Sequence, residues 1–262
     1  MSVLEAIIMG ILQGLTEFLP VSSSGHLELA SYLFGIESES NLQFTMAVHA
    51  ATVLSTITVF YRQIAELFRG LFRFRMNDET RYVLNLLLSM IPIGIVGLFF
   101  KDAVEGLFTS NLLLVGAMLL VTACLLTFAG RARPRSGKIT PKNAFVIGIA
   151  QALAVLPGLS RSGATISTGL LLGVERSEVS KFSFLMVLIP IIGMNLLEII
   201  GMPAGASSVG AWQLAGGFAA AYLTGTLACR WMIRIVNRGK LVWFAVYCAA
   251  VGLVSIGLWL FN

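Results

Sequence analysis

Five side chains able to do chemistry fall within ten positions near the start of the chain: Glu17, Ser22, Ser23, Ser24 and His26. A second group lies far along it, where Arg161 stands between Ser160 and Ser162, with Thr165 one helical turn on. Both groups are embedded in apolar sequence. An Arg at membrane depth costs about 2.5–3.5 kcal/mol on insertion scales, so it implies a partner of opposite charge. The planar guanidinium fork suits phosphate, which it binds through two parallel hydrogen bonds. A carboxylate, hydroxyls, an imidazole and an Arg together are the parts for phosphoryl transfer. A Ser or His would attack, the carboxylate would orient the base or hold a cation, and the Arg would stabilise the transferring group. The plainer alternative makes the Ser residues helix caps, Glu17 an interfacial charge and Arg161 a snorkelling topology anchor.

The elements that must position these residues follow from composition. Of 262 residues, 57% are hydrophobic and only 12% are charged. Soluble domains carry roughly 25% charged residues, so the chain is expected to be an integral membrane protein, all-α, forming a single domain over 1–262. Long apolar runs exclude a porin-like β-barrel, whose strands would alternate in polarity. Six runs are long enough to cross: Phe44–Tyr61, Val83–Phe100, Leu112–Ala129, Phe182–Ile200, Trp212–Cys229 and Leu241–Phe261. Two others, Ala6–Leu19 and Ala144–Leu156, end at Pro breaks. A helix of their length reaches roughly 21 Å, short of about 30 Å of hydrocarbon. Each is followed by a Ser-rich break and a second short segment, Ser24–Gly35 and Ser162–Gly173, so each reads as a re-entrant helix hairpin.

The two hairpins are related in sequence. Gly10-Ile11-x-Gln13-x-Leu15 matches Gly148-Ile149-x-Gln151-x-Leu153, and the same register aligns Ser22-Ser23-Ser24-Gly25 with Ser160-Arg161-Ser162-Gly163. The expected organisation is therefore a duplication, repeat one over about 1–130 and repeat two over about 139–262. Three spans per repeat reverse the second copy, giving an inverted-topology repeat. Charge agrees: sixteen of the eighteen Lys and Arg residues fall in 62–82, 130–143, 174–181 and 230–240, all on one side under that topology. The positive-inside rule makes that side cytoplasmic and leaves both termini outside. The same rule explains the net charge of +5 without nucleic acid. No basic residue precedes Arg62, so a cleaved leader is not expected, and Cys124, Cys229 and Cys248 follow no metal or disulfide spacing. His49, inside a full span, reads as a packing residue.

The runs Gln13-Gly14-Leu15-Thr16-Glu17-Phe18-Leu19-Pro20-Val21-Ser22-Ser23-Ser24-Gly25-His26 and Pro157-Gly158-Leu159-Ser160-Arg161-Ser162-Gly163-Ala164-Thr165 resemble the two signatures of undecaprenyl-pyrophosphate phosphatases of the bacitracin-resistance type. The resemblance implies hydrolysis of the C55 polyprenyl pyrophosphate to its monophosphate, recycling the lipid carrier for cell-wall synthesis in a bacterial inner membrane. It also implies dependence on a divalent cation, Mg2+ or Ca2+, and an active site open to the outer face. Carried over by position, it makes Glu17, Ser23, His26 and Arg161 catalytic, with Glu17 also a metal ligand. Gln13, Ser22, Ser160, Ser162 and Thr165 become substrate-binding. Gln13 matches the first position of the Glu/Gln-x-x-x-Glu signature, where Gln in place of Glu removes a second carboxylate. Ser23 as nucleophile with His26 as its base is the expected arrangement, a phosphohistidine at His26 the alternative. A homodimer is compatible with this picture. The rival from another class is a secondary transporter or flippase of an anion or polyprenyl phosphate, using the same midplane site.

Overall fold

The computed structural model describes residues 1–34, 42–100, 103–104, 106–107, 111–201 and 209–261. Among them the regular elements are helices, with one isolated β-bridge between Gly137 and Val174. In chain order they are α1 Val3–Phe18, α2 Ser23–Phe34, α3 Leu42–Leu71, α4 Asp78–Phe99, α5 Leu112–Arg131, α6 Pro141–Leu153, α7 Arg161–Leu171, α8 Arg176–Met186, α9 Leu188–Gly201, α10 Ala211–Asn237 and α11 Val242–Leu260.

Among the described residues, five runs are long and apolar enough to cross a bilayer: α3, α4, α5, the combined stretch Arg176–Leu196, and α11. The span expected at Phe182–Ile200 is divided at Val187 into α8 and α9. Pro190 is the cause, because it offers no N–H and its ring crowds the carbonyl four residues back, that of Met186. The span expected at Trp212–Cys229 lies inside α10, which at 27 residues has the length. Its Gln213, its Thr residues and its glycines dilute the apolar content, and α10 is not one of the five. Helix α3 runs ten residues past the expected end at Tyr61, with a kink at Phe60 (φ −104°, ψ 17°).

Both short units fold as a helix, a break and a second helix. α1 and α2 have 16 and 12 residues, α6 and α7 have 13 and 11. At about 1.5 Å per residue even α1 falls short of the hydrocarbon thickness. In each unit the first helix packs on the second. α1 also lies along α10, and α6 along α4. Small residues permit both approaches. A Cβ on Gly10 would run into the Gly217 carbonyl, and one on Gly148 into the carbonyl of Ser89. Helices α5 and α11 meet in the same manner, Gly116 against the Gly252 carbonyl and Gly252 against the Gly116 carbonyl. Close backbone contact of this kind is how helices associate where lipid removes the hydrophobic drive.

The interior between these helices is apolar, built around Phe18, Val115, Leu119, Ile147, Ile166 and Phe182. A smaller cluster of Ala6, Met9, Phe44 and Val48 seats the start of α1. Large apolar side chains such as Leu98, Leu227 and Leu253 project outward.

Candidate active site

Each hairpin turns at a Ser that caps its second helix. Ser22 takes the left-handed conformation (φ 70°), unusual for a residue with a Cβ. Its carbonyl accepts the His26 N–H at 3.2 Å and its Oγ accepts the Gly25 N–H at 3.3 Å. At the second tip the Ser160 carbonyl accepts the Ala164 N–H at 2.7 Å and its Oγ accepts the Gly163 N–H at 3.1 Å. The hydroxyl pairs also match, Ser22 with Ser24 at 3.3 Å and Ser160 with Ser162 at 3.4 Å. Ser23 and Arg161 consequently stand at the same place, the first residue of α2 and of α7. The tips touch, since a Cβ on Gly25 would lie 3.1 Å from the Cα of Gly158.

Glu17, in the last turn of α1, is where the two tips converge. Its Oε1 accepts a hydrogen bond and ion pair from Arg161 Nη2. Its Oε2 accepts from Ser23 Oγ at 2.7 Å and from Gln13 Nε2 at 3.0 Å. The Glu17 side chain is 5% exposed and that of Arg161 29%, so the carboxylate is sealed while the guanidinium reaches open space. Ser162 Oγ donates to the Leu19 carbonyl at 3.2 Å and ties the second tip to the first. A carboxylate this deeply buried needs its cation, and removal of Arg161 alone would strand the charge.

The remaining expected site residues lie around this cluster rather than in it. His26, 8% exposed, places Nδ1 2.8 Å from the Ser22 carbonyl. A carbonyl only accepts, so Nδ1 carries the proton. Nε2 lies 2.7 Å from the Tyr247 hydroxyl. Both ring nitrogens are thus engaged elsewhere, and the hydroxyl of Ser23 is bonded to Glu17 instead of to His26. Thr165 Oγ1 donates to the Arg161 carbonyl at 2.8 Å and pairs with Ser183 Oγ at 2.5 Å, bracing α7 against α8. Ser160 donates its N–H to Thr122 Oγ1 at 3.0 Å. His49 bonds the Thr45 carbonyl through Nδ1 at 2.9 Å, within its own helix. Thr122, Ser183 and Tyr247 were not singled out in the sequence. None of them belongs to a motif that would mark it.

A narrow crevice, with a cavity of about 20 Å³, opens onto the cluster. Glu17, Arg161 and Ser162 line it together with Thr52, Thr56 and Ser183 and with apolar side chains such as Phe184, Leu188 and Ile191. The arrangement suits an amphiphile with an anionic head. Among the described residues no group of three or more His, Cys, Asp or Glu side chains could hold a metal ion. Gln13 Oε1, however, is buried without a hydrogen-bond partner beside Glu17. An oxygen left without a donor next to a carboxylate is a fitting ligand for a hard cation whose other ligands come from a phosphate substrate and water.

Comparison with known proteins agrees with this chemistry. A family model described as "Bacitracin resistance protein BacA" matches residues 6–254. The chain is 59% identical over 260 residues to the undecaprenyl-diphosphatase of Parabacteroides distasonis, covering 98% of each chain. It is 58% identical over 260 residues to that of Bacteroides thetaiotaomicron, again 98% of each. A more distant undecaprenyl-diphosphatase, from Methanosphaera stadtmanae, is 36% identical over 276 residues, with 98% of each chain covered.

Proposed function

The chain belongs to the bacitracin resistance protein BacA family, and on that premise we propose that the two hairpin tips form its active site. The protein is an undecaprenyl-diphosphatase. It hydrolyses undecaprenyl diphosphate to undecaprenyl phosphate and inorganic phosphate, a reaction that recycles the lipid carrier for cell-wall synthesis and underlies bacitracin resistance. The observation that carries the site is the meeting of Ser23, Arg161 and Gln13 on one buried carboxylate, Glu17, in a crevice that also presents apolar side chains.

The residues divide the reaction as follows. Arg161 spends one nitrogen on Glu17, and its remaining N–H groups receive the terminal phosphate. Ser23 Oγ attacks the terminal phosphorus while its proton passes to Glu17 Oε2, already its hydrogen-bond acceptor at 2.7 Å. The bond from that phosphorus to the bridging oxygen breaks, and undecaprenyl phosphate departs with the bridging oxygen. Water then attacks the phosphoserine, Ser23 recovers a proton, and inorganic phosphate is released. A phosphohistidine route would first have to free Nε2 of His26 from Tyr247. The α2 and α7 N-termini, capped by Ser22 and Ser160, add their partial positive charge to the anion site. A divalent cation, Mg2+ or Ca2+, would be held by Glu17 and Gln13 Oε1 together with the diphosphate. When bound it would neutralise charge that develops on the phosphate oxygens.

The topology that serves this site has six spans, with α10 as the sixth, and two re-entrant hairpins in an inverted repeat over about 1–130 and 139–262. The matched caps at Ser22 and Ser160 and the reciprocal Gly116–Gly252 contact support it. Both termini then lie outside, and the crevice opens to the outer face of the membrane. A homodimer is the finer expectation on assembly, to be read from the mass of the purified particle.

The direct test is phosphate release from undecaprenyl diphosphate by the detergent-purified protein. Release should stop with EDTA and return with Mg2+ or Ca2+. A folded protein that releases no phosphate with cation supplied would overturn the reading.

A further inference from the structure

Helix α11 contributes nothing to the carboxylate cluster, yet two consecutive residues of it grip the first hairpin tip. Cys248 Sγ donates to the Pro20 carbonyl at 3.4 Å. The Tyr247 hydroxyl lies 2.7 Å from His26 Nε2, and the two rings are nearly parallel, 10° apart with centroids at 5.6 Å. Because Nδ1 of His26 donates to the Ser22 carbonyl, Nε2 of the neutral ring is an acceptor and Tyr247 is its donor. The chain of contacts therefore runs from α11 through the imidazole to the backbone of Ser22. That residue is the strained one, at φ 70°, and the next residue is Ser23. A non-glycine residue held in the left-handed region is strained and persists only where its surroundings fix it.

We propose that Tyr247 is a positioning residue for Ser23, acting through His26, whose imidazole works as a donor to the Ser22 carbonyl and not as the base. This rests on the assignment of Ser23 as nucleophile. The structure supplies the argument against a base: Ser23 Oγ already has a carboxylate acceptor, and both His26 nitrogens are committed. It also explains why an imidazole is used at this place. An imidazole carries a donor and an acceptor on opposite sides of one rigid ring, and so joins a carbonyl four residues back to a hydroxyl 221 positions away in sequence.

The test uses steady-state phosphate release by the full chain in detergent, with undecaprenyl diphosphate as substrate and the wild type active as reference. Tyr247→Phe removes one hydroxyl and keeps the ring. Small misplacement of a reacting atom costs up to about a hundredfold, so kcat is expected to fall about tenfold, with KM unchanged because Arg161 and Glu17 are untouched. His26→Asn retains an N–H near Nδ1 but has no basic nitrogen. It should keep roughly tenfold more activity than His26→Ala. Full kcat in Tyr247→Phe would overturn the proposal, and so would His26→Asn as inactive as His26→Ala. Either result leaves the phosphatase reading standing, whereas an inactive wild type removes that reading itself. The two failures are therefore distinguishable.

Discussion

At the scale of single residues, the account turns on Glu17, which is asked to serve as counter-ion to Arg161, as acceptor for Ser23 and as a cation ligand. Ser23→Ala should reduce phosphate release by about 10³-fold, as loss of a nucleophile does when only binding and electrostatics remain. A Ser23→Ala variant retaining more than about a tenth of wild-type kcat would move the nucleophile elsewhere. Arg161→Lys keeps the charge but loses the fork that holds a carboxylate and a phosphate at once. It should lose at least about tenfold in kcat/KM, measured in the same assay, and a fully active Lys variant would show that charge alone suffices. Ser160, Ser162 and Thr165, read from the sequence as substrate-binding, are seen capping α7, tying the tips together and bracing α8. Their side chains shape the loop from which Arg161 projects.

At the scale of elements, the half-helices were legible because their ends are written in residue types with a fixed physical meaning. Pro20 and Pro157-Gly158 stop helices, Ser22 and Ser160 start them, and runs of that length cannot cross a bilayer. The equivalence of Ser23 and Arg161 as first residues of α2 and α7 could likewise be read from the register of the two motifs. What could not be read depended on partners distant in sequence. The pairing of His26 with Tyr247 instead of Ser23 requires knowing that α11 backs the first tip. The break at Val187 leaves no mark in hydropathy, because Pro190 sits inside an unbroken apolar run and hydropathy is blind to a missing N–H. Close packing of α1 on α10 makes a prediction at this scale. Gly10→Ala would overpack the contact with Gly217, which typically costs about 1–3 kcal/mol. At roughly 2–4 °C per kcal/mol for a chain this long, the Tm in detergent should fall by several degrees. Phosphate release should fall with it, because α1 carries Gln13 and Glu17. An unchanged Tm would mean that the two helices are not pressed together there.

At the scale of the whole molecule, composition marks the chain as a multi-pass membrane protein, and the proposed orientation, with the two tips entering from opposite sides, rests on the placement of charge. Orientation is checked with single cysteines in a background where Cys124, Cys229 and Cys248 are Ala. Phe261→Cys should react with an impermeant maleimide in intact spheroplasts, and Ser136→Cys only after permeabilisation. The reverse pattern would invert the topology and with it the face from which substrate enters. The central claim is that residues from both tips make one hydrolytic site. The most direct measurement is phosphate release from undecaprenyl diphosphate by the wild type beside Glu17→Ala and Arg161→Ala, one substitution at each tip, with chromatographic profile and Tm as controls for folding. The account predicts cation-dependent release by the wild type and a loss of at least about 10²-fold in each variant. Wild-type release by either folded variant would contradict it.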